Sequence, residues 1–135
     1  RESVAEHSWR LALMAMLVSD EFPHLDMNKV LRMCIIHDLG ESFTGDIPAF
    51  DKNTDHRMEE QRLLNDWVAT FPEPAKTAFS TLLEEMNAMN TDEARLYKAL
   101  DNMEAVVSVC RNFISISILI VDFLIFQIST TRSHI

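Results

Sequence analysis

Residues that form turns are scarce in this chain of 135 residues, which contains only two glycines and four prolines. A β-rich fold needs frequent turns between its strands, so this composition is unfavourable for it and favours long helices. The length suits one domain that buries its own core without disulfide bonds. We therefore predict a single domain with long helices.

Capping residues and apolar spacing predict where the helices lie. Ser3-Val4-Ala5-Glu6 has the pattern of a capping box, and the helix that it starts is predicted to reach about Glu21. Asp26 is placed to cap a second helix, from about Met27 to Leu39. Further helices are predicted at about 54–71, 74–87 and from about 90, with an irregular turn or short helix at 40–50.

The C-terminal part of the chain has a different composition. From about Val109 it is rich in Ile, Phe, Leu, Val and Ser, and residues 113–128 contain a single acid, Asp122. This stretch is short for a membrane span, which needs about 20 residues. We expect a core at 1–108 and an atypical apolar segment at 109–135, packed on the same domain. A shifted reading frame, an alternative exon or lineage divergence could each produce it.

Net charge and cysteine content indicate which binding partners and which cellular setting to expect. The formal net charge of −9 is opposite to the basic footprint of nucleic-acid-binding proteins, so nucleic acid is not an expected partner. A membrane is not an expected partner either, because the apolar stretch is short for a span. The two cysteines do not form a C-x-x-C pair, which argues against a zinc knuckle and fits a reduced, cytoplasmic setting. The chain starts at Arg1 without a signal peptide or an initiator Met, so we expect it to be shortened at its start.

Four ionisable residues fall on apolar helix faces. His7 shares a face with Leu11 and Met14, and the other three are His37, Asp38 and Asp101. A buried Asp is almost always paired or bound to an ion, and a divalent cation would satisfy all four residues at once. Taken singly, each could instead be a satisfied core residue or a member of a buried ion pair.

Two further acids, Glu41 and Asp46, follow His37 and Asp38 closely in the chain. A metal lowers the pKa of its bound water and polarises a phosphoryl oxygen, and a nearby carboxylate can transfer the protons. The set therefore favours hydrolysis of a phosphate ester. The alternatives are a solvated helix-end acid for Glu41 and a turn former or helix cap for Asp46.

At these positions the sequence resembles a known family, the branch of HD-domain proteins that contains bacterial 5'-deoxynucleotidases and related eukaryotic HD-domain nucleotidases. The resemblance covers residues 1 to about 108. It rests on four blocks in the same order, Arg1-Glu2-Ser3-Val4-Ala5-Glu6-His7-Ser8-Trp9, His37-Asp38-Leu39-Gly40-Glu41, Thr44-Gly45-Asp46-Ile47-Pro48 and Lys98-Ala99-Leu100-Asp101.

The resemblance implies an all-α fold, a compact HD-domain helical bundle with the metal site at its centre. The activity that it implies is removal of the 5' phosphate from deoxynucleoside monophosphates. It implies one divalent ion (Co, Mn, Fe, Ni, Zn or Mg) held by His7, His37, Asp38 and Asp101, with Glu41 and Asp46 as catalytic acids. Members often form homodimers, which leaves a homodimer open here. Arg1 is a candidate for binding the substrate phosphate, and the alternative for Arg1 is a surface role. The family's further N-terminal helix, with basic and aromatic residues near the substrate, has no counterpart before Arg1.

Two other functions stay open at this point. One is an HD hydrolase of another phosphate ester or of a nucleotide polyphosphate, with the same metal and a different pocket. The other is a non-catalytic helical module whose metal site is structural and closed to water.

Overall fold

The computed structural model describes residues 3–44 and 54–109, and every regular element within these ranges is helical. The prediction of an all-α fold is confirmed. Arg1, Asp46 and residues 110–135, on which other predictions fall, lie outside the described residues. The elements are α1 (Val4–Leu17), a 3-10 helix (Ser19–Glu21), α2 (Met27–Ile36), α3 (Glu41–Thr44), α4 (Thr54–Ala69), α5 (Ala75–Ala88) and α6 (Asp92–Val109).

The predicted helix caps are present. The Glu6 N–H donates to Ser3 Oγ at 3.2 Å, and the Ser3 N–H donates to the Glu6 carboxylate at 2.8 Å, which is a complete capping box. The Lys29 N–H donates to the Asp26 side chain at 3.1 Å at the start of α2. These local bonds set where each helix begins and therefore which residues face the core.

Two helices end earlier than predicted. The α-helical part of α1 stops at Leu17, and the next residues tighten into the 3-10 helix. The regular part of α2 ends at Ile36, because the chain must turn at Gly40. A Cβ atom on Gly40 would lie only 3.2 Å from the carbonyl oxygen of Glu60 on α4, so glycine permits this close approach.

Three helices surround the middle of the domain. α1, α2 and α6 each pack against the other two, whereas α3 packs on α4, and α4 and α2 both contact α5. Leu11, Val30, Met33 and Leu100 are fully buried where the central three helices meet. This arrangement brings inward residues of α1 and α6 close to the C-terminal end of α2.

Trp9 and Trp67, which the spacing of apolar residues predicts as core, are 67% and 38% exposed. α1 is apolar on two opposite faces, and the core covers only the face of Leu11 and Met14. The outer face carries exposed Trp9, Leu13, Met16 and Leu17. Periodicity alone cannot tell which of two apolar faces is buried.

Helix length and polarity decide whether any described helix could span a membrane. α6 is the longest described helix, at 18 residues, and it carries charged residues along its length. Within 3–44 and 54–109, no helix combines the length and the apolar character that a membrane span requires.

Candidate metal centre

The four predicted ligand residues lie together where α1, α2 and α6 meet. The Nε2 atoms of His7 and His37 are 3.1 Å apart, and Asp101 Oδ1 lies 3.2 Å from the first and 3.4 Å from the second. Asp38 Oδ2 lies 3.0 Å from His37 Nε2 and 3.7 Å from His7 Nε2. Both imidazoles therefore direct the same nitrogen toward one small volume that two carboxylates also face.

Separate elements deliver these side chains. His7 is the fourth residue of α1 and comes one turn after the N-cap residue Ser3. His37 is the residue that ends α2, and Asp38 is the next residue, in the turn toward α3. Asp101 comes from the middle of α6. Because the core fixes the three helices, the donor atoms have little freedom to separate.

The spacing of the donor atoms fits one divalent cation. A tetrahedral ion with ligands about 2.1 Å away places those ligands about 3.4 Å from one another. The distances between nitrogen and oxygen donors here run from 3.0 to 3.7 Å. His7, His37 and Asp38 each offer one ligand atom within 4.8 Å of the others, and Asp101 approaches both histidines. Imidazole and carboxylate donors together suit first-row transition metals, which agrees with the predicted cofactor class.

Hydrogen bonds within the cluster favour the charged forms of its histidines and of Asp101. Burial alone would lower the pKa of His37, but hydrogen bonds to Asp101 and Asp38 outweigh it and raise this pKa to about 9. The hydrogen bond to Asp101 raises the pKa of His7 against the opposing effect of burial. Burial favours protonated Asp101, yet bonds from His37, His7 and Lys98 hold its pKa well below its usual range. The site is thus built around positive charge beside two carboxylates.

Exposure differs within the cluster and indicates its open side. The side chain of His37 is 4% exposed, and those of His7 and Asp101 are each 16% exposed. Asp38 is 32% exposed. A small molecule would therefore reach the cluster on the Asp38 side.

Glu41 comes three residues after Asp38, the most exposed of the four residues. It is the first residue of α3, it is half-buried, and its N–H donates to the Asp38 carbonyl at 3.0 Å. α3 is held onto α4, where Thr44 Oγ1 donates to Glu60 at 3.1 Å and the Phe43 and Trp67 rings meet edge to face at 5.6 Å. The position of Glu41 relative to Asp38 is therefore fixed by a short turn and by packing.

Sequence reasoning missed Glu104. Apolar spacing along α6 predicts one inward face that holds both Asp101 and Ala105. In the structure Ala105 is exposed, whereas Glu104 is 1% exposed. Glu104 Oε2 lies 2.6 Å from His7 Nδ1, and its other oxygen accepts from Arg10 Nε at 2.6 Å. Glu104 follows Asp101 by one helical turn, as Arg10 follows His7, and this matched spacing is a signal that could have identified it.

Comparisons with known proteins identify chains that are similar to this one. The HD-domain family matches residues 1–114. The human protein named 5'-deoxynucleotidase HDDC2 is 32% identical over 109 residues, which cover 78% of this chain and 52% of that protein. A fission yeast protein, 5'-deoxynucleotidase hdd1 of Schizosaccharomyces pombe, is 28% identical over 111 residues, covering 78% of this chain and 55% of the relative. The chain spans about half the length of the curated relatives it matches.

Solved structures share the fold. A predicted metal-dependent phosphohydrolase from Magnetospirillum magnetotacticum MS-1 superposes with a TM-score of 0.69 at 32% identity, over 79% of this chain and 55% of that one. A conserved hypothetical protein from Pyrococcus furiosus superposes with a TM-score of 0.65 at 30% identity, over 86% of this chain and 68% of the other.

Proposed function

This chain belongs to the HD-domain family, and we propose that it is a divalent-metal-dependent phosphohydrolase that removes the 5' phosphate from deoxynucleoside monophosphates. The observation that carries the proposal is the convergence of four donor atoms, from His7, His37, Asp38 and Asp101, at spacings that suit one metal ion. Relatives at about 30% identity that are named 5'-deoxynucleotidases support the choice of substrate.

In this proposal, the two histidines and two aspartates hold one divalent ion. When bound, the ion lowers the pKa of a water molecule and polarises a phosphoryl oxygen. The chain's own part is to direct both Nε2 atoms and two ionised carboxylates at one position, and the imidazoles would lose their Nε2 protons on binding the ion. The lowered pKa values of Asp38 and Asp101 support the ionised form. Cobalt, manganese, iron, nickel, zinc and magnesium are all candidates for the ion.

Glu41 and Asp46 are the proposed proton-transfer groups. Glu41 follows Asp38 by three residues and its N–H donates to the Asp38 carbonyl, which supports a role for Glu41 in accepting a proton from the attacking water. Asp46, which lies outside the described residues, would deliver a proton to the departing 5' oxygen. Arg1, also outside them, would bind the phosphate through its guanidinium group.

The remaining parts of the proposal concern partners and setting. A small nucleotide is the proposed substrate, and the net charge of −9 disfavours nucleic acid as a partner. We propose a cytoplasmic protein without a membrane partner, and a homodimer is the assembly to test by light scattering on the purified chain.

The experiment measures phosphate release from a panel of ribo- and deoxynucleoside monophosphates. It uses metal-stripped protein with and without added Co²⁺ or Mn²⁺. We expect release only with metal and faster release from deoxynucleotides. Asp38→Asn should abolish it, whereas Asp66→Asn, the same change at an exposed acid on α4, should not.

Three outcomes would count against the proposal. Equal release by the metal-stripped protein would remove the metal from the reaction. Metal-dependent hydrolysis of other phosphate esters or of nucleotide polyphosphates, but not of monophosphates, would redirect the substrate. Tight metal binding without release from any phosphate ester would favour a non-catalytic module.

A further inference from the structure

We infer that Glu104, neutralised by Arg10, is a positioning residue that orients the His7 ring so that its Nε2 atom faces the metal position. The inference rests on the proposed metal-binding function, and it assigns a role to a residue that lies outside the set of four ligands and two acids. Glu104 acts through His7 rather than on the metal or the substrate.

The contacts of Glu104 use both of its oxygens. Oε2 lies 2.6 Å from His7 Nδ1, and Oε1 lies 2.6 Å from both Nε and Nη2 of Arg10. The side chain is 2% exposed, so it cannot exchange these partners for water. The carboxylate is thus held between a cation on one side and the imidazole on the other.

The chemistry of this contact fixes which nitrogen of His7 carries the proton. An ionised carboxylate can only accept, so His7 Nδ1 must donate a hydrogen to it. A neutral ring that is protonated at Nδ1 has its lone pair on Nε2, which is the atom that faces His37 and Asp101. Histidines that bind metals commonly donate their other N–H to a carboxylate, which orients the ring and raises its basicity.

Arg10 completes the arrangement because a buried carboxylate is costly without a cation. Arg10 and His7 are one turn apart on α1, and Glu104 and Asp101 are one turn apart on α6. α1 and α6 therefore contact each other at two successive turns. His7 contacts Asp101 through Nε2 and Glu104 through Nδ1. A purely structural ion pair between Arg10 and Glu104 would not require the contact with His7.

The test measures Zn²⁺ affinity of the full chain by competition with a chelator, for the wild type, Glu104→Gln and the control Glu59→Gln. Glu59 also pairs with an arginine, Arg62, but on the exposed surface of α4. We expect Glu104→Gln to weaken zinc binding about 10- to 100-fold, and the control to change it by less than about twofold. Equal zinc affinity in Glu104→Gln and the wild type would overturn the inference.

A second measurement does not depend on whether Glu104→Gln folds. Nitrogen-15 NMR of the zinc-loaded wild type reports which ring nitrogen of His7 carries the proton. We expect a proton on Nδ1, in a strong hydrogen bond that moves its resonance downfield, with zinc on Nε2. Zinc on Nδ1, or an Nδ1 proton that exchanges as fast as that of an exposed histidine, would contradict the role of Glu104.

The two proposals can fail separately. If the wild type binds zinc and Glu104→Gln binds it more weakly, but no phosphate ester is hydrolysed, the role of Glu104 stands and the enzymatic function falls. If the wild type hydrolyses deoxynucleotides and Glu104→Gln binds zinc equally well, the function stands and the role of Glu104 falls.

Discussion

His7 and His37 present their Nε2 atoms 3.1 Å apart, yet the protein holds the two rings by different means. His37 Nδ1 donates to the carbonyl of Cys34, one turn earlier on the same helix, at 2.9 Å. His7 Nδ1 meets Glu104, which lies on another helix and needs Arg10 beside it. The part of the site around His37, called the His37 half, is therefore supported locally by α2. The part around His7, called the His7 half, depends on the packing of α1 against α6.

This difference has a physical consequence. A backbone carbonyl of the same helix is present whenever α2 forms, so the orientation of His37 needs no third side chain. The orientation of His7 needs a buried charge pair, which is sensitive to the loss of either member. Substitutions of Arg10 on α1 or Glu104 on α6 should therefore affect His7 rather than His37, whereas disruption of α2 should affect His37.

Asp101→Asn should have the largest effect because it changes the one carboxylate that lies close to both histidines. Loss of metal stabilisation worth several kcal/mol corresponds to a fall in phosphate release of about a thousandfold or more. Metal-dependent turnover, compared with that of Asp92→Asn at an exposed position on the same helix, provides the measurement. Retention of more than about a tenth of the turnover would show that the metal-dependent reaction does not require the Asp101 carboxylate.

Glu41→Gln should separate binding from turnover in the His37 half. The variant keeps all four donor residues, so its metal affinity should match the wild type, while phosphate release falls about 10²- to 10⁴-fold. Metal titration and turnover are measured on the same sample, with exposed Glu84→Gln on α5 as the control. Full activity of Glu41→Gln would remove Glu41 from the proton-transfer role.

The pH dependence of stability should report on the His37 half in metal-stripped protein. The pKa of His37 is raised from 6.5 to about 9, so its stabilising contribution is complete below pH 6.5 and is lost as pH rises through about 9. The free energy of unfolding should fall by up to about 3 kcal/mol over that interval. Urea unfolding at several pH values measures this fall, and a flat profile would contradict the charged state assigned to His37.

Arg10→Met should produce a smaller loss, confined to the His7 half. It leaves the buried Glu104 without its cation but with its contact to His7. A buried group that loses one partner costs about 1 to 3 kcal/mol, so the free energy of unfolding should fall by about 2 kcal/mol. The control Arg95→Met removes an exposed partner of Asp92, where a loss below about 1 kcal/mol is expected. Equal losses in the two variants would mean that burial of Glu104 adds nothing to its pairing with Arg10.

The difference between contacts within one helix and contacts between helices also explains which features could be predicted from the sequence. The capping box at Ser3 and Glu6, the cap at Asp26 and the inward faces of α1 and α2 depend on residues within a few positions of one another. Local spacing alone is therefore enough to place His7 and His37 on inward faces. Glu104 was missed because apolar spacing indicated Ala105 instead, and the contacts of Glu104 with His7 and Arg10 form only when α6 packs on α1.

Packing between helices accounts for the other differences. Trp9 is exposed because α1 has two apolar faces and only contacts with α2 and α6 decide which one is buried. α2 ends three residues early because Gly40 lets the turn approach α4 closely. Both outcomes depend on where neighbouring helices lie, which local spacing does not encode.

The most direct test of the account is the position of a bound metal, measured by anomalous diffraction from crystals of this chain grown with Co²⁺. The account predicts one strong peak among His7 Nε2, His37 Nε2, Asp38 and Asp101, at about 2.0 to 2.2 Å from its ligand atoms. A peak elsewhere, or none at these residues in crystals that contain cobalt, would contradict the claim that they form a metal centre.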